Sequence, residues 1–286
     1  MTNKTLLKTL QLPEDLHRCS RQDFIQLADE IRKEIINVVS QNGGHLASNL
    51  GVVELSIAIH AALSSPTDKI IWDVGHQSYP HKLLTGRYKE FPSIRQKGGL
   101  SGFTKRSESP HDSFGAGHAA TSISAAMGMA KARDLNGESH AIMAVIGDAS
   151  ISSGEAFEAL NNMNTVKGPF IIILNDNEMS ISRPVGGLSS HITAIRTNAV
   201  YRGIKKEIER MLLKIPKVGS PLVKAIDRLL RRTKHLLINY EKAGVIYEEF
   251  GIRYIGPVDA MDIPHLIGAI RFARANKGPV LIHVIS

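Results

Sequence analysis

Residues 142–182 read IMAVIGDASISSGEAFEALNNMNTVKGPFIIILNDNEMSIS, and this segment predicts the architecture of the chain. The apolar runs Ile142–Ile146 and Phe170–Leu174 are each the length of a strand that is buried on both faces. Between them, the pattern Ser152-x-x-Glu155 predicts a helix that begins with a capping box. A strand, a helix and a second strand in this order predict a βαβ unit with two parallel strands.

Polar residues follow both predicted strands, Gly147-Asp148 after the first and residues 175–177 (Asn-Asp-Asn) after the second. In parallel sheets, ligands bind at the carboxyl ends of the strands. Mg²⁺ prefers oxygen ligands and uses few carboxylates, so Asp148, the Asn177 amide and the backbone carbonyl of Met179 are predicted ligands. The helix start after Ala149-Ser150 would present free N–H groups to an anion. Alone, Asp148 could be an ordinary turn residue, but the polar residues after the next strand favour a metal-bound diphosphate.

The composition is that of a globular protein of one large or two small domains. The chain has 286 residues, 43% of them hydrophobic and 22% charged. Cys19 is its single cysteine, which excludes an internal disulfide and fits a reducing compartment. We find no apolar run as long as a membrane span and no signal-peptide core at the N-terminus. The sequence therefore predicts a cytoplasmic protein that does not bind membranes.

The net charge of +8 is concentrated in one segment, Arg202–Lys234, which holds eleven Lys or Arg and three Asp or Glu. The remaining 24 basic and 24 acidic residues balance one another. No aromatic residues are interleaved with the basic segment to stack on bases. We therefore expect a solvated helical face and no nucleic-acid partner.

Further strands are predicted at residues 70–73, 252–255 and 280–285, separated by helical patterns. Together with the βαβ unit they predict a three-layer α/β domain with a mostly parallel sheet. Residues 183–243, rich in glycine and basic residues, predict a helical insertion that lies over this domain and is its least ordered region.

Three histidines lie in glycine-flanked loops between predicted elements: His45, His76 and His118. Such loops are where ligand contacts concentrate, although a lone histidine is more often structural. The segment Gly117-His118-Ala119 precedes a helix of small residues at 123–132, which permits close backbone approach to a ligand. As a phosphate loop by itself, this signal is weak.

Seven motifs together resemble the first domain of the 1-deoxy-D-xylulose-5-phosphate synthases, thiamine-diphosphate enzymes that are related to transketolase. The motifs are GHLASNLG (44–51), WDVGHQSYPHK (72–82), GGLSGFTKRSES (98–109), GAGHAATSIS (115–124), GDAS (147–150), ILNDNEMSIS (173–182) and YIGPVD (254–259). The resemblance runs from about residue 12 to the end of the chain.

The resemblance implies two cofactors, thiamine diphosphate and Mg²⁺, and a role for each predicted site residue. It implies that Mg²⁺ is bound by Asp148, Asn177 and the backbone of Met179, and that the diphosphate contacts Ala149, Ser150 and Asn177. It also implies that the cofactor is lined by His76, Gly117, His118 and Ala119. His45 would face the substrates and aid proton transfer as the catalytic residue.

The reaction implied by the resemblance joins pyruvate to glyceraldehyde 3-phosphate with loss of CO₂, a transferase step of isoprene and thiamine biosynthesis. Thiamine diphosphate carries the difficult chemistry, while the protein binds and orients it. One departure from the family pattern lies in the site, where Gly147-Asp148-Ala149 replaces Gly-Asp-Gly. If that third position required a positive φ, alanine would cost about 1 kcal/mol. A second departure is residues 259–262, Asp-Ala-Met-Asp, where the family has Asp-Gly-His-Asp.

Family chains are much longer than this one, so we expect residues 1–286 to be the diphosphate-binding domain alone. The pyrimidine-binding and C-terminal domains would supply a ring-activating glutamate and the arginines for the sugar phosphate. Four interpretations follow: a half that pairs with a separately encoded second half or a second copy of itself; a degenerate homologue that binds cofactor or a partner; the N-terminal subunit of a split transketolase; or a fragment of a longer protein. The synthase-specific motifs weigh against the transketolase interpretation.

Overall fold

A computed structural model describes residues 5–177, 186–187 and 244–286. Within these residues, five strands form one sheet in the order β1-β2-β3-β5-β4, and every neighbouring pair is parallel. The strands are β1 (Lys69–Trp72), β2 (Ile142–Gly147), β3 (Phe170–Asp176), β4 (Arg253–Asp259) and β5 (Pro279–Ile285). The predicted parallel sheet is confirmed, and β2 and β3 are adjacent as the βαβ pattern requires.

Helices pack on both faces of the sheet. They are α1 (Leu6–Thr9), α2 (Arg21–Asn42), α3 (Leu46–Leu50), α4 (Val53–Ala62), α5 (Tyr79–Leu84), α6 (Ser122–Leu135), α7 (Gly154–Asn161), α8 (Val245–Glu249) and α9 (Ile263–Ala275). Short 3₁₀ turns occur at Glu14–Arg18, Phe91–Ser93, Ser150–Ser152 and Met163–Thr165. None of the helices within the described ranges is long and apolar enough to cross a membrane.

The side chains of β2 show why the domain has three layers, with helices on each face of the sheet. Met143 and Val145 contribute to the core formed with α2, α4 and α9. Their neighbours Ile142, Ala144 and Ile146 contribute to the core formed with α6 and α7. Successive strand residues point to opposite faces, and both faces are covered, so the strand is apolar without alternation. The predicted three-layer α/β fold is confirmed.

Two of the helices follow directly from local sequence. The helix α2 begins with a complete capping box, in which the Ser20 N–H donates to Asp23 Oδ2 at 2.7 Å and the Asp23 N–H donates to Ser20 Oγ at 3.2 Å. Every residue of α4 is buried, which explains why its sequence is apolar on nearly all sides.

The predicted start of α7 is wrong. The helix begins at Gly154 after the N-cap residue Ser153, and no side-chain cap bond forms. The Ser152 and Ser153 hydroxyls instead donate to the carbonyls of Ala149 and Ser150, at 2.7 and 2.9 Å. Serine hydroxyls can bond to nearby carbonyls as readily as to helix N–H groups. Here they close a 3₁₀ turn between β2 and α7.

The strand β3 is longer than predicted, because its partner β5 continues beside it. Asn175 and Asp176 pair with Val284 and Ile285, so both are strand residues rather than loop residues. Met179 and, apart from residues 186–187, the predicted insertion at 183–243 lie outside the described residues. The assignment of the whole chain as one diphosphate-binding domain stays a prediction.

Candidate functional site at the carboxyl edge of the sheet

The ends of β2 and β3 place the predicted metal ligands on neighbouring strands. Gly147 pairs with Asn175, and the Asp148 N–H donates to the Asn175 carbonyl oxygen at 3.3 Å. The Asn177 amide nitrogen would lie 4.0 Å from a Cβ atom built on Gly51. The residues after α3 therefore reach the edge of the sheet where Asp148 and Asn177 lie.

Ala149 has an ordinary backbone conformation. Its φ is −71° and its ψ is −43°, in the right-handed helical region that any residue adopts. Its side chain is exposed. The condition under which alanine would be strained at this position is not met, and the replacement of the family's glycine carries no backbone penalty.

Ala149 and Ser150 begin the 3₁₀ turn that leads into α7. The first N–H groups of a helical turn have no carbonyl partner within the turn, and they carry a partial positive charge. The turn starts directly after Asp148, so these donors lie beside the predicted metal ligand. This arrangement suits a phosphate group that is bound to a metal ion.

Asn49, to which the sequence analysis assigned no role, joins the loops of His45 and His76. It is completely buried. Its Nδ2 donates to the His45 and His76 carbonyl oxygens at 2.5 and 2.8 Å, and its Oδ1 accepts from the Tyr79 N–H at 2.8 Å. The two imidazole rings consequently lie 5.4 Å apart between centroids, edge to face. An asparagine inside the motif GHLASNLG was the available signal.

Both imidazole rings are half-buried, and each leaves Nδ1 buried with no hydrogen-bond partner among the described residues. Buried polar atoms are nearly always bonded, so an unpartnered one marks a place for water or a ligand. Burial and the nearby Arg95 lower the pKa of His45, and burial and His45 lower the pKa of His76. A lowered pKa favours the neutral form of each ring, in which one nitrogen donates a hydrogen bond and the other accepts one.

The loop with Gly117, His118 and Ala119 is attached to the end of β1 by Asp73, a second residue that sequence reasoning missed. The Asp73 carboxylate accepts from the N–H groups of Ala120 at 2.9 Å and Ser122 at 3.2 Å. Asp73 stands three residues before His76, so the His76 loop leaves the same strand end to which residues 117–119 are attached. Residues 117–119 are exposed at this edge. The aspartate that directly follows the predicted strand was the sequence signal.

Glycine allows these two loops to touch. Gly75 has φ +82°, and a Cβ atom there would lie 2.8 Å from Ala116 Cβ. Real Cβ atoms do not approach this closely, so no other residue fits without displacing the 115–119 segment.

A third loop reaches His45 through Phe103, whose ring centroid lies 6.1 Å from that of His45. The loop is held by Glu108, which accepts from the Ser101 N–H at 2.6 Å and from Lys82 Nζ at 2.6 Å. The Lys82 side chain is completely buried. The ion pair of Lys82 and Glu108 therefore anchors the loop that carries Phe103.

The same loop carries Asp112, the centre of a buried charged cluster. Its carboxylate accepts two bonds from Arg87, at 2.8 and 2.9 Å, and one from His81 Nε2 at 3.0 Å. Burial raises the pKa of Asp112, but the hydrogen bonds from His81 and Arg87 lower it by more. The pKa of this carboxyl is therefore well below its usual range. Burial lowers the pKa of His81 to about 4, against the opposite effect of Asp112.

Within residues 5–177, 186–187 and 244–286, no group of three or more His, Cys, Asp or Glu side chains could hold a metal ion. The predicted Mg²⁺ site has a single protein carboxylate, Asp148, as expected where phosphate and water complete the shell. An open groove of about 760 Å³ lies between α1 and α2 and contains none of the predicted site residues.

The described site residues thus meet at one edge of the sheet. Asp148 and Asn177 follow adjacent strands, His45 and His76 form a pair, and residues 117–119 share the β1 end with His76. Met179, the remaining predicted ligand, lies outside the described residues.

This architecture is that of the transketolase fold. A transketolase variant from Pichia stipitis matches 93% of this chain and 36% of its own chain, with a TM-score of 0.64 and 18% identity. Transketolase from Leishmania mexicana matches 94% of this chain and 36% of its own, with a TM-score of 0.62 and 17% identity. Identities this low show the fold alone.

The chain belongs to the 1-deoxy-D-xylulose-5-phosphate synthase family, whose model matches residues 7–286. The synthase of Pelotomaculum thermopropionicum is 51% identical over 281 residues, which cover 98% of this chain and 43% of that protein. The synthase of Carboxydothermus hydrogenoformans is 50% identical over 98% of this chain and 44% of that protein. The chain therefore spans less than half the length of these curated relatives.

Proposed function

We propose that this chain is the cofactor-anchoring half of a 1-deoxy-D-xylulose-5-phosphate synthase. In this proposal it binds thiamine diphosphate through Mg²⁺ and acts on pyruvate and glyceraldehyde 3-phosphate when a second half completes the site. The observation that carries the proposal is the pair His45 and His76, each with a buried Nδ1 that has no hydrogen-bond partner among the described residues, at the same sheet edge as Asp148 and Asn177. The family membership supports the identity of the cofactor.

The residues present fit a magnesium diphosphate. The Asp148 carboxylate and the Asn177 amide oxygen would hold Mg²⁺, with the Met179 carbonyl as the proposed third protein ligand. The N–H groups of Ala149 and Ser150 would bind the diphosphate, where the 3₁₀ turn adds a favourable partial charge. When bound, thiamine diphosphate supplies the carbanion chemistry that bond cleavage next to a carbonyl requires.

The remaining residues shape the space beside the cofactor. His76 and residues 117–119 would line it, and Phe103 would help to exclude water near His45. A neutral His45 can accept a proton from a substrate hydroxyl and, as the imidazolium so formed, return it to a substrate oxygen, so it is the proposed catalytic residue. Asn49 would position His45 and His76 relative to one another.

The second half is proposed to supply the glutamate that activates the cofactor ring and the arginines that bind the sugar phosphate. It could be a separately encoded chain, a further part of a longer protein or a second copy of this chain. Its absence would leave the cofactor in water, where charges in the transition state are poorly stabilised. We therefore propose that the chain alone binds cofactor and does not turn over substrate.

Two other functions make different predictions. A degenerate homologue would bind cofactor or a partner without turnover in any mixture. The N-terminal subunit of a transketolase would require a sugar-phosphate donor; identities of 51% to a synthase and 17% to a transketolase weigh against it.

The experiment that tests the proposal adds the complementary domains of a relative to this chain and measures synthase activity. We expect no product from either component alone and product from the mixture, with calorimetry detecting Mg²⁺-dependent binding of thiamine diphosphate by this chain. Binding without activity in the mixture would favour the degenerate homologue. No binding would refute the proposal, and turnover by the isolated chain would refute its incompleteness.

A further inference from the structure

A chain of three polar side chains, one half-buried and two fully buried, crosses the sheet from β4 to β3. The Tyr254 hydroxyl lies 2.8 Å from His283 Nδ1, and His283 Nε2 lies 3.1 Å from Asp176 Oδ2. His283 and Asp176 are 0% and 1% exposed. The three residues lie on three adjacent parallel strands, and Asp176 directly precedes Asn177.

Hydrogen bonding assigns a direction to this chain. The Asp176 carboxylate can only accept, so His283 Nε2–H donates to it. In the neutral imidazole, Nδ1 is then an acceptor, and the Tyr254 hydroxyl donates to it. Each donor is matched to one acceptor, and this matching holds the His283 ring in a single orientation.

Further hydrogen bonds join the end of β3 to the residue that follows β5. The Ser286 N–H donates to the Asp176 carbonyl oxygen at 3.1 Å, and Ser286 Oγ lies 3.0 Å from Asn175 Oδ1. The Asn175 carbonyl in turn accepts the Asp148 N–H. The bonds to β5 therefore end at the two strand ends that carry the predicted metal ligands.

Gly256 packs closely against the backbone and Cβ atom of His283. A Cβ atom on Gly256 would lie 2.8 Å from both the Cβ atom and the carbonyl oxygen of His283. The Tyr254 ring stacks on the Tyr247 ring with centroids 6.0 Å apart and an angle of 6°. The histidine and the tyrosine that bond to one another are thus each fixed by a neighbour.

Stability alone does not account for a buried carboxylate at this position. Burial of a charged side chain is costly even when it is paired, and well-packed apolar residues are often at least as stabilising. What a bonded set adds is a defined geometry. At the end of β3 the geometry that matters is the direction in which Asn177 leaves the strand.

We propose that Asp176, His283 and Tyr254 are positioning residues that fix the end of β3 and thereby orient Asn177 toward the metal. The proposal rests on the proposed function, since it assumes that Asn177 is a ligand. Groups that orient metal ligands typically contribute tenfold to a hundredfold to metal affinity. These three residues would do so without touching the metal, the cofactor or the substrate.

The test measures the Kd for Mn²⁺, a paramagnetic substitute for Mg²⁺, by electron paramagnetic resonance of the 286-residue chain with thiamine diphosphate. His283→Leu removes both bonds, and we expect Kd to rise about tenfold. His283→Gln retains a donor toward Asp176, so we expect most of the affinity to return. Tyr254→Phe keeps the ring stack and loses one bond, with an expected rise of about threefold.

Val280→Ala is the matched structural control. Val280 is fully buried on β5, pairs with Ile171 and, three residues from His283 along the strand, points to the opposite face of the sheet. This substitution should lower the thermal midpoint and leave the Mn²⁺ Kd of the folded protein unchanged. If His283→Leu fails to fold, Tyr254→Phe and His283→Gln decide the question.

Asp148→Asn separates failure of this inference from failure of the proposed function. If Asp148→Asn loses Mn²⁺ affinity while the Tyr254 and His283 variants that fold keep the Kd of the parent, the positioning role is refuted and the proposed function stands. If the parent does not bind Mn²⁺, or Asp148→Asn binds as well as the parent, the proposed function is refuted together with this inference. A graded loss, with recovery in His283→Gln, supports it.

Discussion

Two pairs of neighbouring histidines, His45 with His76 and His60 with His81, have different surroundings. His45 and His76 are half-buried, their rings meet edge to face, and each has a buried Nδ1 without a partner among the described residues. His60 and His81 are fully buried and stacked, with His60 Nε2 2.9 Å from His81 Nδ1 and His81 bonded onward to Asp112. His60 Nδ1 is also buried without a partner among the described residues, so an unpartnered Nδ1 alone does not distinguish the two pairs. All four have a lowered pKa with burial as the largest cause.

The difference teaches that a perturbed pKa does not by itself mark a ligand site. Structural networks shift pKa values as strongly as active sites do. What separates the two pairs is access: the first pair borders open space at the sheet edge, while the second is linked to a carboxylate inside the protein. We therefore interpret His45 and His76 as facing a ligand, and His60 and His81 as part of the support for the loop that carries Phe103.

The largest effect on stability is expected when the Asp112 carboxylate, to which the buried His60 and His81 pair is linked, is removed. Asp112→Asn leaves Arg87 and His81 without their anionic partner, and removal of one member of a buried charged set costs about 3–5 kcal/mol. Urea denaturation monitored by circular dichroism measures the loss. The same change at exposed Asp29 should stay within about 0.5 kcal/mol. A loss at Asp112 no larger than that at Asp29 would contradict the support role.

Acidification should weaken the buried pair next. The folded pKa of His81, about 4, lies below its unfolded value of about 6.5, so the unfolded chain binds a proton that the folded protein does not. The stability contributed by neutral His81 is complete above pH 6.5 and is lost as the pH falls toward 4, to a total of about 3 kcal/mol. His60, also lowered, acts in the same direction, whereas Asp112 matters only at lower pH.

The slope of unfolding free energy against pH measures this proton uptake. His81→Gln should reduce the slope between pH 5 and 6 by about one proton. An unchanged slope in His81→Gln would show that His81 is not neutral in the folded protein.

The ligand side of the comparison should respond in affinity instead of stability. Asp148→Asn removes the one anionic protein ligand of the proposed Mg²⁺ site, and we expect thiamine diphosphate to bind at least about tenfold more weakly at saturating Mg²⁺. Fluorescence of Trp72, the only tryptophan, reports binding because it ends the strand that leads to His76. Thermal unfolding without ligands should change little. Equal titration curves for mutant and parent would remove Asp148 from the site.

The smallest effect is expected at Ala149. Because its φ is −71°, Ala149→Gly relieves no strain and adds freedom to the unfolded chain, so stability should fall by at most about 1 kcal/mol. Cofactor affinity should not rise. A clear gain in affinity would mean that the methyl group, and not the backbone, obstructs the diphosphate.

Consecutive residues determined much of the fold. Runs such as Ile142–Ile146 and Phe170–Leu174 predicted buried parallel strands, because burial on both faces leaves no polar position in such a strand. The start of α2 is likewise local, since its capping box of Ser20 and Asp23 is complete within four residues. Asp148 and Asn177 could be placed at one edge because all carboxyl ends of a parallel sheet lie together.

Tertiary structure alone decided what depends on residues far apart in the chain. Asn49 joins two loops 31 residues apart, and Asp73 accepts from the N–H groups of Ala120 and Ser122, 47 and 49 residues later; neither contact has a local pattern. The start of α7 shows that even a nearby partner can differ from the local pattern. The Ser152 hydroxyl donates to the Ala149 carbonyl of the 3₁₀ turn and does not form the predicted cap bond. Local patterns record burial and nearby hydrogen bonds, whereas the partner of a buried polar atom is set by how whole elements pack.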